Sequence, residues 1–116
     1  MIFNKTNIQG MYLINLEKKQ DERGFFARTY CINEFENYGI KFSPIQSNMS
    51  FSKNKGTLRG LHYQTPTHEA KLVRCPNGSI FDVVVDLRND SESFLKLSCN
   101  EISGPTSQII YIPPGC

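Results

Sequence analysis

The chain has 116 residues, of which 39% are hydrophobic and 21% charged, and its formal net charge is +2. That length fits one domain spanning residues 1–116, and the composition is that of a globular protein rather than a disordered one. So small a charge gives no argument for nucleic acid or an anionic membrane surface as partner.

Met1 to Lys5 lacks the charged-then-apolar pattern of a secretory signal, and no apolar run approaches the length of a membrane span, so a cytoplasmic location is expected. Met11 to Leu16 predicts a first strand. Lys18 to Gly24 reads as a polar turn, and Phe25 to Tyr30 as a second strand. The spacing predicts one short helix over Ile32 to Tyr38, with Asn33 as its cap and Gly39 as its stop.

A strand is expected over Pro44 to Ser50, then a solvated loop around Lys53-Asn54-Lys55, then an extended element over Thr57 to Gln64 closed by Pro66. Lys71 to Cys75 is a strand ended by a Pro76-Asn77-Gly78 turn. In Ile80 to Leu87, Phe81, Val83, Val85 and Leu87 share one face and are expected to be buried. Asp82, Asp86 and Arg88 take the other face, as an ion-pair row or as groups that orient a neighbour. Phe94 to Glu101 and Gln108 to Ile112 are the last strands before Pro113-Pro114-Gly115. Many short strands with turns between them predict an all-β, cupin-like double-stranded β-helix, a jelly-roll barrel.

The four cysteines, Cys31, Cys75, Cys99 and Cys116, form no C-x-x-C pair, a spacing poor for zinc. Three are expected in core or strand positions, while Cys116 is expected to be exposed and oxidisable. The two histidines do not supply the H-x-H pair of a metal-binding cupin, so no metal is expected.

Several blocks together resemble the dTDP-4-dehydrorhamnose 3,5-epimerase family. Asp21-Glu22-Arg23-Gly24-Phe25-Phe26 resembles its D-x-R-G-x-F opening, and Gln46-Ser47-Asn48-Met49-Ser50 its Q-x-N-x-S segment. Gly56 to Gln64, reading GTLRGLHYQ, looks like its signature. Lys71 to Cys75, Gly78 to Arg88 and Tyr111 to Gly115 continue the match in family order.

The resemblance implies a cofactor-free isomerase acting on a dTDP-linked 4-keto-6-deoxy sugar, in dTDP-rhamnose synthesis and as a homodimer. The hydrogens at C3 and C5 lie α to the C4 ketone, so the reaction needs a base, a stabiliser for the enolate oxygen and an acid on the opposite face. By resemblance His62 is the base, where the plain alternative is a structural histidine. Lys71 is implied as the cation near the enolate oxygen, Arg23 and Arg59 as pyrophosphate ligands, and Gln46 and Asn48 as hydrogen-bonding partners of the nucleotide. Arg59 and His62 are three residues apart, so a regular strand points them to opposite faces unless it bends near Gly60. Phe25 and Phe26 adjoin Arg23 in a region that the family shares across a dimer, and core packing is expected for at least one of them.

Two departures stand out. Arg28 occupies a position where the family usually carries a Glu that contacts nucleotide, a reversal of charge. The sequence also closes after Tyr111-Ile112-Pro113-Pro114-Gly115, before the strands in which the family holds its acid tyrosine and the carboxylate that orients the base. None of Tyr12, Tyr30, Tyr38, Tyr63 and Tyr111 sits in that motif. A barrel incomplete at its C-terminal end is therefore expected, with apolar faces and strand edges that need cover. Three readings stay open: the double epimerase, a related 3- or 5-epimerase, and a non-catalytic form that binds nucleotide-sugar or oligomerises.

Overall fold

A computed structural model describes residues Met1 to Cys116. Its centre is a four-stranded antiparallel sheet in the order β1-β2-β8-β5, formed by Ile2–Lys5, Tyr12–Asn15, Gln108–Ile112 and Lys71–Arg74. A hairpin of β3 (Lys19–Asp21) and β4 (Gly24–Phe26) projects from it, followed by the short helix α1 (Ile32–Glu36). A second hairpin pairs β6 (Ser79–Val85) with β7 (Leu97–Ser103). The chain is thus all-β apart from α1, and its sheets do not close into a barrel.

Both faces of the central sheet are covered, and strand alternation sorts the side chains between them. Ile109 and Tyr111 of β8 join Phe3, Ile14, Phe35, Ile40 and Phe42 in an aromatic cluster on the α1 side. Ile110 and Ile112 face the other way and pack with Met11, Cys75, Val84 and Ile102, so that the second hairpin roofs that side. Four consecutive residues of β8 are therefore buried.

Asp86 anchors the edge of this roof. Its carboxylate accepts hydrogen bonds from Arg88 Nε at 2.8 Å and from the hydroxyls of Ser91 and Ser93, each at 2.6 Å. Arg88 in turn donates to the Gln9 carbonyl at 2.6 Å, and Leu87 donates to the Gly115 carbonyl at 3.1 Å. One buried carboxylate thereby ties the loop after β6 to both ends of the chain. Arg88, first, and the two serines hold Asp86 well below the usual carboxylate range. Gly115 has φ +88 and lies so close to Arg88 that a Cβ there would stand 2.5 Å from its Cγ.

Several expectations are corrected. The stripe of Phe81, Val83, Val85 and Leu87 is not the buried face: Phe81 is 70% exposed, whereas Val84 and Asp86 point inward. Both faces of β6 are apolar enough to pack, and the one sheet that covers the hairpin decides between them. No strand forms over Pro44 to Ser50 or Thr57 to Gln64, because no strand of the chain lies alongside to complete a ladder. β1 was not expected, and β3 falls within the segment read as a polar turn. Cys31, not Asn33, stands at the helix N-cap, in extended conformation and without a side-chain cap. Gly39, at φ +73, ends that turn as expected.

Neither Phe25 nor Phe26 is core: both are exposed. Cys116 is a free thiol but half-buried rather than exposed, and it contacts Asp86 Oδ1 at 3.7 Å. Burial, chiefly, pushes that thiol up to about 11, which suppresses the oxidisable thiolate.

The reversed stripe yields a direct test. In dilute urea titrations Ile110→Ala is expected to cost roughly 2–5 kcal/mol, and Phe81→Ala roughly 0.5 kcal/mol or less. Equal losses would contradict the orientation of β6.

Candidate functional site

The residues singled out from sequence lie on three parts of the fold. Arg23 sits at the tip of the β3–β4 hairpin, where Nη2 donates to Asp21 Oδ2 at 2.6 Å and the backbone N–H to Oδ1 at 2.9 Å. That pair faces water and contributes little to stability. It leaves the Arg23 guanidinium facing solvent and holds the Asp21 carboxyl below its ordinary range.

Gln46, Asn48, Arg59 and His62 all belong to residues 43–69, each of which is exposed. No backbone–backbone hydrogen bond involves this stretch. Its order is local: Arg59 donates from Nη2 to the Phe51 carbonyl at 2.9 Å and from Nε to Ser52 Oγ at 3.2 Å. At Gly60 the backbone bends, with φ +110, and a Cβ there would lie 3.3 Å from His62 Nδ1. The regular alternation that would separate Arg59 from His62 is therefore broken at the glycine.

Lys71 is the first residue of β5. Leu72 packs into the aromatic cluster and Val73 into the opposite one, so alternation turns Lys71 towards the space between the central sheet and the β6–β7 hairpin. Its Nζ donates to the Glu69 carbonyl at 3.4 Å. Asp82 faces the same space, being two residues before the inward Val84. The turn between β5 and β6 places Lys71 and Asp82 at equal distances along the chain from its two ends, Cys75 and Gly78.

The expected acidic row on β6 divides accordingly. Asp86 forms the ion pair with Arg88, at 2.8 Å, and neither it nor Asp82 reaches His62 or Lys71. Asp82 Oδ1 is buried with no hydrogen-bond partner. Loss of solvation pushes its carboxyl above the usual range. A lone Asp between Phe81 and Val83 offers no sign in sequence that it will be orphaned; only the layering of the hairpin on the sheet makes it so.

No hydrogen bond or salt bridge joins any two of Arg23, Gln46, Asn48, Arg59, His62 and Lys71. No group of three His, Cys, Asp or Glu residues is arranged to hold a metal ion. No helix is long and apolar enough to cross a membrane.

Residues 5–116 match the family model of dTDP-4-dehydrorhamnose 3,5-epimerase. The chain is 38% identical over 113 residues to the enzyme of that name from Methanothermobacter thermautotrophicus, covering 97% of this chain and 60% of the relative. Its fold superposes on the dTDP-4-dehydrorhamnose 3,5-epimerase structure of Elizabethkingia anophelis with a TM-score of 0.94 at 40% identity, covering 99% of this chain and 63% of that one. A Legionella pneumophila 3,5-epimerase in complex with dTDP-4-keto-L-rhamnose matches with a TM-score of 0.90 at 36% identity, over 98% of this chain and 61% of that one. The chain thus spans about three fifths of the length of the relatives it matches.

The orphaned carboxylate can be tested by stability. A carboxyl whose folded pKa is raised favours the fold only while protonated, and that contribution is lost as pH rises through the folded value. Asp82→Asn is therefore expected to melt above the wild type at pH 7, with the gap closing as the pH is lowered towards the ordinary carboxylate range. A lower melting temperature at pH 7 would show that Asp82 has a partner in solution.

Proposed function

Because the chain belongs to the dTDP-4-dehydrorhamnose 3,5-epimerase family, we propose that it carries the base-bearing and nucleotide-binding part of a sugar-nucleotide epimerase site. The substrate in this reading is a dTDP-linked 4-keto-6-deoxy sugar, the setting dTDP-rhamnose synthesis in the cytoplasm, and no cofactor is needed. The observation that carries the reading is the family match over residues 5–116, a range that includes Arg23, Gln46, Asn48, Arg59, His62 and Lys71.

In this mechanism His62 removes the proton at C3 or C5, and the electron pair passes onto the C4 oxygen as an enolate. Lys71, turned into the inter-sheet space, supplies positive charge there, where the medium is less polarisable than water and charge acts more strongly. Arg23 and Arg59 neutralise the pyrophosphate, while Gln46 and Asn48 hydrogen-bond the nucleotide. A proton delivered from water to the opposite face of the enolate completes epimerisation, while His62 releases the abstracted proton to solvent.

The reading includes a homodimer. The accessible surface is 8600 Å², whereas a compact monomer of 13.2 kDa exposes about 6,400 Å². The excess, about 2,200 Å², is surface left for cover, by a second copy or by the part of the relatives' length that this chain does not span. Its apolar part includes Ile45 at 96% exposure, Phe25 and Phe26 of the hairpin, and Phe81.

The test is deuterium uptake at C3 and C5 of dTDP-4-keto-6-deoxyglucose in heavy water. Exchange that falls at least about a hundredfold in His62→Ala is the expected result for a general base. Exchange at one carbon alone assigns a 3- or 5-epimerase. A folded sample that exchanges neither hydrogen contradicts the catalytic reading and leaves a nucleotide-sugar binder. Sedimentation of the same sample as a monomer would contradict the dimer.

A further inference from the structure

We infer that His68 is a positioning residue for the proposed reaction: its ring closes the loop between His62 and Lys71 and so sets where the base stands relative to the cation. The inference rests on the epimerase reading and adds one residue to it.

Lys71 follows His62 by nine positions, and residues 63–69 make no backbone–backbone hydrogen bond. An open tether of that length reaches about 30 Å. It would leave the base free to wander while Lys71 stays fixed in β5. Three side chains fold the tether back. His68 Nδ1 lies 3.0 Å from the Gln64 carbonyl oxygen. A carbonyl only accepts, so this ring nitrogen carries the proton and donates. The bond closes Gln64 to His68 into a single turn. The Tyr63 ring, next to His62, packs against the His68 ring with centroids 5.4 Å apart. The Gln64 amide, with its nitrogen turned towards the carboxylate as its neighbours require, donates to Glu69 Oε2 at 2.7 Å. Lys71 Nζ donates to the carbonyl of the same Glu69. Contacts therefore run without a gap from the residue after His62 to Lys71.

Packing does not explain this clasp. Tyr63, Gln64, His68 and Glu69 are all exposed, and none joins either core cluster. What the clasp fixes is distance. The base and the cation act on neighbouring atoms of one substrate, and a displacement of about 1 Å in such a pair costs up to a hundredfold in rate. A tether closed beforehand also lowers the entropy lost when substrate aligns the two groups.

Deuterium exchange at C3 and C5 of dTDP-4-keto-6-deoxyglucose at saturating substrate tests this, beside calorimetric titration with dTDP. His68→Ala is expected to slow exchange about tenfold while dTDP affinity and melting temperature hold. His68→Asn, whose amide puts an N–H where Nδ1–H stood, should restore most of the rate. His68→Gln, whose amide reaches the place of Nε2, should not. Full activity in His68→Ala, equal loss in the Asn and Ala variants, or a loss that falls on dTDP affinity instead of rate would overturn the inference and leave the epimerase reading in place. In the wild type, nitrogen NMR at about pH 8 should find the neutral His68 ring as the Nδ1–H tautomer. The Nε2–H tautomer would overturn the inference without any variant. A folded wild type that exchanges neither hydrogen takes down the epimerase reading and the positioning role with it.

Discussion

The fold depends on the two-sided burial of β8. Its residues from Ile109 to Ile112 are all buried, and it is hydrogen-bonded to β2 on one edge and to β5 on the other. Because successive side chains enter opposite layers, this one strand holds the aromatic cluster around Phe35 and the roof formed by β6 and β7 in a fixed relation. Lys71 owes its inward direction to the same strand, since the register that opposes Lys71 to Ile112 sends Leu72 to one layer and Val73 to the other. Asp86 completes the frame at its rim, where its hydrogen bonds close the roof over the end of the chain.

The frame holds Lys71 and Asp82, but not the remaining site residues. Gln46, Asn48, Arg59 and His62 stand on a stretch that makes no backbone ladder and buries none of its side chains. The β3–β4 hairpin is likewise a two-stranded unit with both phenylalanines in water, an arrangement only marginally stable by itself. The proposed binding groups are thus distributed over the parts of the chain with least internal support. Their alignment is a property of whatever covers them, whether substrate, second copy or the part of the relatives' length that this chain does not span.

How much of this was legible in the sequence follows the same division. β8 was read to its observed limits because an apolar run stands between turn residues and Pro113-Pro114, and β5 and the β6–β7 pair were found for similar reasons. The inward face of β6 was misread because Val84 and Asp86 look less like core than Phe81, Val83 and Val85. The choice belongs to the covering sheet and to the Arg88 pair, neither of which is local. The segments over Pro44 to Ser50 and Thr57 to Gln64 have the composition of strands, but a strand exists only against a partner. The candidate site residues stand in motifs, and a bend near Gly60 was named as the condition for joining Arg59 to His62; the backbone does bend there. What the motif does not encode is the orphaned Asp82 and the way Arg28 leans on Glu34 beside Phe26.

The central claim is that a rigid sheet presents a site whose base-bearing segment is ordered by what it binds. Backbone amide hydrogen exchange, followed by mass spectrometry with and without saturating dTDP, tests this most directly. The account predicts strong protection across β2, β5 and β8 in either state, near-intrinsic exchange over residues 43–69 in the free protein, and clear slowing of that segment when nucleotide is bound. Protection of residues 43–69 equal to that of β8 without ligand, or no response of the segment to a nucleotide that demonstrably binds, would contradict it.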